Sequence, residues 1–131
     1  MKYIIVGLGN FGSSLATKLT SQGHEVIGID IDMDKVERYK ESISHTICID
    51  STSENAVSGL PIAQTDVVLI TIGEDQGQNV MVTALFKNLN AKYIISRAIN
   101  PLHEKVLQAL GVDDIIPVSY THLTLPTIYS V

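Results

Sequence analysis

Six short apolar runs punctuate the chain, at residues 3–6, 25–29, 46–49, 66–72, 93–95 and 115–116, and the segments between them carry apolar residues at helical spacing. That alternation predicts βα units and a parallel sheet, and runs rich in Ile and Val at successive positions fit strands buried on both faces. Right-handed crossovers then give an α/β fold of Rossmann type, a doubly wound parallel sheet of six strands in the order 3-2-1-4-5-6. Its ligand crevice is expected at the strand ends between strands one and four. Gly12, Leu15, Ala16 and Leu19 mark the inner face of the first helix, and Gly23 is placed to end it. A later helix is expected from Pro101 to about Leu110, with Asn100 as its cap and Gly111 beyond its end. Val80, Ala84 and Leu85, with Met81 beside them, read as core or dimer packing.

The first run feeds directly into Gly7-Leu8-Gly9-Asn10-Phe11-Gly12, a G-x-G-x-x-G turn between a strand and a helix. Each glycine has its own steric duty: Gly7 permits the bend, Gly9 lets backbone approach a pyrophosphate, and Gly12 allows close packing of helix on sheet. Free N–H groups at the helix start, with the helix dipole, favour an anion there by about 0.3 to 2 kcal/mol. Asp30 follows the second run, eighteen residues past Gly12, where a carboxylate can accept bonds from both ribose hydroxyls. The alternative is that Asp30 and Asp32 cap the next helix. Ile31, Asp32, Met33 and Asp34 include no cation to neutralise a 2′-phosphate, so NADP is disfavoured against NAD(H) or ATP/ADP.

At 131 residues the chain suits a single domain. Nine Lys and Arg against fourteen Asp and Glu give a net charge of -5 without a basic cluster, which argues against nucleic-acid binding. No apolar run approaches the ~18 residues of a membrane span and no signal peptide is recognisable, so direct membrane insertion is not expected. Cys48, the single cysteine, reads as a small buried hydrophobe of a cytoplasmic protein. The four histidines lack ligand spacing, no metal site is expected, and no catalytic set is recognisable. Glu74 and Asp75 read as a solvated loop, with contact to a phosphate-bound cation as the alternative.

From Met1 to about Ile116 the chain resembles the TrkA-N, or RCK, nucleotide-binding domains of regulators of potassium transport and conductance. The resemblance rests on the glycine turn, Ile29-Asp30-Ile31-Asp32, Cys48-Ile49-Asp50-Ser51-Thr52, Asp66 to Gly73, Ser96 to Asn100, and His103 to Ile116. It implies that Asp30 holds the ribose, that Asp50 and Ser51 border the adenine beside Ile31, and that the backbone of Thr71, Ile72 and Gly73 lines the phosphate side. Arg97 would be the cation nearest the phosphates. Asp50 is alternatively a turn or capping residue, and Arg97 alternatively an intersubunit ion-pair partner. Members of the family often carry Arg inside the glycine turn where this chain has Asn10, which weakens the expectation of ATP-over-ADP discrimination.

The resemblance further implies a non-enzymatic gating subunit that binds an adenine nucleotide. It would assemble as a homodimer within a ring, its last helix crossing to a neighbour, and would sit on the cytoplasmic face of the membrane through a potassium-translocating partner. Two rivals stand beside it: the cofactor-binding fragment of an NAD-dependent dehydrogenase, and a sensing module attached to an antiporter or channel. After residue 116 the resemblance stops. The string from Pro117 reads like the translation of a transposase-type sequencing adapter, so residues 117–131 are expected to be non-native, with a short lineage-specific extension as the alternative.

Overall fold

The computed structural model describes residues 1–117, so the expected non-native tail lies, Pro117 aside, outside the described residues. The chain runs β1 (Lys2–Val6), α1 (Asn10–Ser21), β2 (Glu25–Asp30), α2 (Met33–Tyr39), β3 (His45–Cys48), α3 (Glu54–Ser58), a 3-10 turn (Ile62–Gln64), β4 (Val67–Ile70), α4 (Gln76–Asn88), β5 (Ile94–Arg97), α5 (Pro101–Leu110) and β6 (Asp114–Ile116). Every strand pair is parallel and the order is β3-β2-β1-β4-β5-β6, as the periodicity predicts. β1 lies inside the sheet, with Ile4 level with Ile27 of β2 on one side and Val68 of β4 on the other.

Successive strand residues point to opposite faces, so each apolar run feeds two cores at once. Tyr3 and Ile5 join Leu15, Ala16 and Leu19 of α1 in one layer. Ile4 and Val6 join Val57 of α3 and Val82 and Phe86 of α4 in the other. The crossover changes face between β3 and β4, which opens the sheet's carboxyl edge beside β1.

The helix ends follow local chemistry. Asp32 accepts from the Asp34 N–H to cap α2, Asp75 from the Gln78 N–H to cap α4, and Asn100 from the His103 N–H to cap α5. Pro101 opens α5 and Gly111, at φ 75°, closes it in the left-handed conformation. α1 differs: its capping position is Gly9, which supplies no side-chain acceptor.

Three expectations need correction. The fourth strand ends at Ile70, two residues early, because the Ile72 backbone packs under Gly7 instead of continuing the ladder. The buried face of α4 is Asn79, Val82, Thr83 and Phe86; Leu85 packs half-buried against the core as expected, whereas Val80 and Ala84 form a half-buried flank and Met81 is exposed. The sequence pattern missed this face because half of it is polar. Cys48 is only half-buried, since β3 is an outer strand, and its thiol donates to the Ile31 carbonyl at 3.4 Å.

The polar half of the α4 face is fully bonded. Asn79 Nδ2 donates to the carbonyls of Ile72 (3.0 Å) and Arg97 (3.2 Å). Its Oδ1 accepts from Ser96 Oγ (3.1 Å) and lies 2.9 Å from His103 Nε2. Two carbonyls fix the amide's orientation, and His103 Nδ1 accepts from the Ile99 N–H at 3.0 Å, so the imidazole is neutral with its proton on Nε2.

Burial pushes the His103 pKa below its ordinary 6.5. The unfolded chain therefore binds this proton first, and the stability conferred by His103 is full above about pH 6.5 and is lost as the pH falls from there through the lower folded value. In urea titrations between pH 7.5 and 5, the stability gap between the unsubstituted chain and His103→Leu should narrow with falling pH. A gap that is constant or widens contradicts the assignment of a neutral, buried imidazole.

Candidate nucleotide site

The site is built where β1 stops. Gly7 takes φ 102°, a conformation that L side chains rarely adopt, and its N–H donates to the Ile29 carbonyl at 2.8 Å. The chain then turns into α1, whose first turn contains no acidic residue. The Ser13 N–H makes the first helical bond, to the Gly9 carbonyl at 2.9 Å, so the preceding N–H groups have no intrahelical acceptor. A side chain at Gly9 would meet nothing within 4 Å, whereas one at Gly12 would collide with the Gly7 carbonyl and the Thr71 hydroxyl. The three glycine duties read from the sequence are thus distinct here: bend at Gly7, open approach at Gly9, contact at Gly12.

Thr71 fastens this turn to β4. Its buried hydroxyl lies 3.0 Å from the Val6 carbonyl and 2.8 Å from that of Gly7, and its N–H donates to Val6 at 2.9 Å. Its place is therefore beneath the turn, and the largely buried Ile72 lines the cleft.

A cleft partly open to solvent lies across these strand ends, lined by Val6, Gly7, Ile29, Asp30, Ile31, Ser51, Ile72, Glu74 and Gln78. Five residues expected at the site meet there: Gly7, Asp30, Ile31, Ser51 and Ile72. Asp30 is half-buried, with Oδ2 accepting from the Leu8 N–H at 2.7 Å and Oδ1 from the Asp32 N–H at 2.9 Å. Each carboxylate oxygen retains further acceptor capacity, and the capping of α2 falls to Asp32, not to Asp30.

Other expected residues stand elsewhere. Asp50 is exposed, and its carboxylate accepts from the Thr52 hydroxyl (2.6 Å) and N–H (2.9 Å), which holds its pKa below the ordinary carboxylate value. This is a turn geometry, and the neighbouring Ser51 faces the cleft instead. Asn10 is exposed as the first residue of α1. Arg97 does not line the cleft; its guanidinium carbon sits 5.1 Å from the centre of the Phe11 ring and packs against Gly73, with Nη1 3.5 Å from the Thr71 carbonyl. Arg97 Nε is buried without a partner, and desolvation lowers the pKa of the group while nearby Glu74 opposes that shift.

Gln78 went unnoticed in the sequence, although Asp75-Gln76-Gly77-Gln78 follows the D-x-x-Q pattern of a capped helix start, which puts Gln78 in the first turn of α4. Among the described residues no cluster of His, Cys, Asp or Glu could hold a metal ion, and no helix is long and apolar enough to cross a membrane.

Parallel sheet, glycine turn, uncapped helix start and an acid ending β2 define a Rossmann-type domain of the nucleotide-binding class. The chain belongs to the TrkA-N domain family, whose model matches residues 3–118. It is 37% identical over 115 residues to Ktr system potassium uptake protein C of Bacillus subtilis (strain 168), covering 88% of this chain and 52% of that one. The chain thus spans about half the length of the curated relatives it matches. Among solved structures, the NAD(P)-binding domain of an exopolyphosphatase-related protein from Archaeoglobus fulgidus superposes with a TM-score of 0.81 at 23% identity, over 89% of this chain and 87% of that one. The GsuK channel bound to NAD gives 0.77 at 18%, over 88% and 21%, and GsuK bound to ADP gives 0.77 at 19%, over 88% and 31%. At such identities these structures speak to the fold alone.

The glycine geometry makes a sharp contrast testable. In urea denaturation without nucleotide, Gly12→Ala should cost about 3 kcal/mol or more through overpacking against backbone, while Gly9→Ala stays within about 1 kcal/mol of the unsubstituted chain. Equal costs at the two positions would contradict the packing described.

Proposed function

We propose that this chain is the nucleotide-binding part of a regulatory subunit of a potassium uptake system, and that an adenine nucleotide binds across the cleft without being chemically transformed. The observation that carries the reading is the pairing of an uncapped α1 N-terminus with Asp30 at the end of β2, in a member of the TrkA-N family. The helix start suits a pyrophosphate, and Asp30 suits the adjacent ribose. Ile31, 62% exposed at the cleft edge, and Ser51 offer surfaces for the base, and Asp50 would reach it only by leaving its turn with Thr52.

NAD(H), ATP and ADP share the adenosine diphosphate moiety that these groups address. A 2′-phosphate would meet Asp30 and Asp32 without a neighbouring cation on Ile31 to Asp34, so NADP should bind poorly. Arg97 reaches a phosphate only if its guanidinium leaves Phe11 and Gly73. Family membership and the Ktr relatives favour this reading over a dehydrogenase fragment.

A ligand moves a switch only by its differential affinity for two states, so assembly belongs to the proposal. We place the chain in a homodimer that builds a ring on the cytoplasmic face of a membrane potassium-translocating subunit. α5 buries His103 and Leu107 in its own chain and so offers a neighbour its outer face, where Leu102 and Val106 are 69% and 37% exposed.

Calorimetric titration of the chain with ATP, ADP, NAD, NADH and NADPH tests the binding. ADP, NAD or both should bind, NADPH should bind at least about tenfold more weakly, and Asp30→Asn should weaken ADP by about tenfold or more, equivalent to roughly 1.4 kcal/mol. A folded chain that takes up none of the five, or an Asp30→Asn variant with undiminished affinity, would overturn the site.

A further inference from the structure

Asn79 occupies a position that the proposed binding function does not use directly, yet three other segments converge on it. The side chain is fully buried on the first turns of α4, and all of its hydrogen-bonding capacity is taken: both N–H groups by the carbonyls of Ile72 and Arg97, both Oδ1 lone pairs by Ser96 and His103. Ile72 is a wall of the cleft, and Gln78, which precedes Asn79, is another. Arg97 carries the guanidinium stacked on Phe11 of the glycine turn. His103 belongs to α5, the helix that follows β5.

We propose that Asn79 is a positioning residue that sets the Ile72 wall of the cleft and the Arg97 backbone beside it, and that its bond from His103 makes the order of α5 depend on nucleotide occupancy. The inference rests on the nucleotide reading above. A ligand that shifts Ile72 to Gln78 pulls on Asn79 through a carbonyl bond and through the adjacent backbone. Asn79 cannot yield without breaking a bond in a water-free setting, where unpaired polar groups are costly. The displacement therefore passes to Arg97 or to His103.

A purely structural role would be confined to the two strand-end carbonyls, which would otherwise be left without donors. Nδ2 alone performs that task, and Ser96 already serves Oδ1. The His103 bond goes beyond it and is the only one of the four that leads to α5. Ser96→Ala and His103→Leu each remove one donor from the same oxygen, so they separate the two roles.

The test is amide hydrogen exchange of the full chain with and without saturating ADP, alongside calorimetric ADP affinity. In the unsubstituted chain ADP should slow exchange in α5 by roughly threefold or more. His103→Leu should keep ADP affinity within about threefold and keep the slowing at Gly7 to Gly12, while losing the response of α5. Ser96→Ala should retain that response. A response that survives in His103→Leu overturns the proposal, as does ADP binding to the unsubstituted chain with no change in α5. If that chain binds no ADP, the proposed function itself falls and this inference with it. Should His103→Leu not fold, the imidazole 15N resonances of the unsubstituted chain decide: His103 resonances that shift on ADP addition support the coupling, and unmoved resonances overturn it.

Discussion

The site depends on one steric constraint, the contact of Gly12 with the Gly7 carbonyl and the Thr71 hydroxyl. Three elements are forced together there: the end of β1, the first turn of α1 and the end of β4. Any side chain at residue 12 would push the helix from the sheet and the uncapped N–H groups away from the cleft. Thr71 completes the closure by lying within hydrogen-bond reach of the last carbonyl of β1 and the first carbonyl of the turn, so the loop is fixed before any ligand arrives. Such preorganisation matters because a loop that had to be ordered on binding would weaken affinity by the entropy of that ordering.

Around this closure, groups serve the fold and the site together. Asp30 accepts from Leu8 in the glycine turn and from Asp32 at the start of α2, tying the two loops that border the cleft. A carboxylate already oriented by two backbone donors is held ready for further donors such as ribose hydroxyls. Arg97 shows the opposite balance. Its guanidinium rests on Phe11 and Gly73 with one nitrogen unpartnered, a position in which a desolvated cation is incompletely satisfied.

Much of this was legible in the sequence, for physical reasons that differ by residue. Glycine roles are readable because each follows from the lack of a Cβ, and the strand order follows from apolar runs joined by right-handed crossovers. The caps of α5 were equally plain in Asn100, Pro101 and Gly111. Asn79 and Thr83 were not legible, because buried polar residues break the apolar stripe by which a helix face is recognised, and their partners lie thirteen or more residues away or on backbone. Asp50 and Arg97 show a further limit: spacing placed both near the strand ends, but side-chain direction is decided by a local turn with Thr52 in one case and by the Phe11 ring in the other.

The central claim is that one adenine nucleotide spans the strand ends from the α1 N-terminus to Asp30. Amide chemical-shift mapping of the 15N-labelled chain during ADP addition tests it most directly. The account predicts saturable shifts concentrated at Gly7 to Gly12, Asp30 and Ile31, Ser51, and Ile72 to Gln78. Saturable shifts centred elsewhere, with the Gly7 to Gly12 amides unmoved, would contradict it.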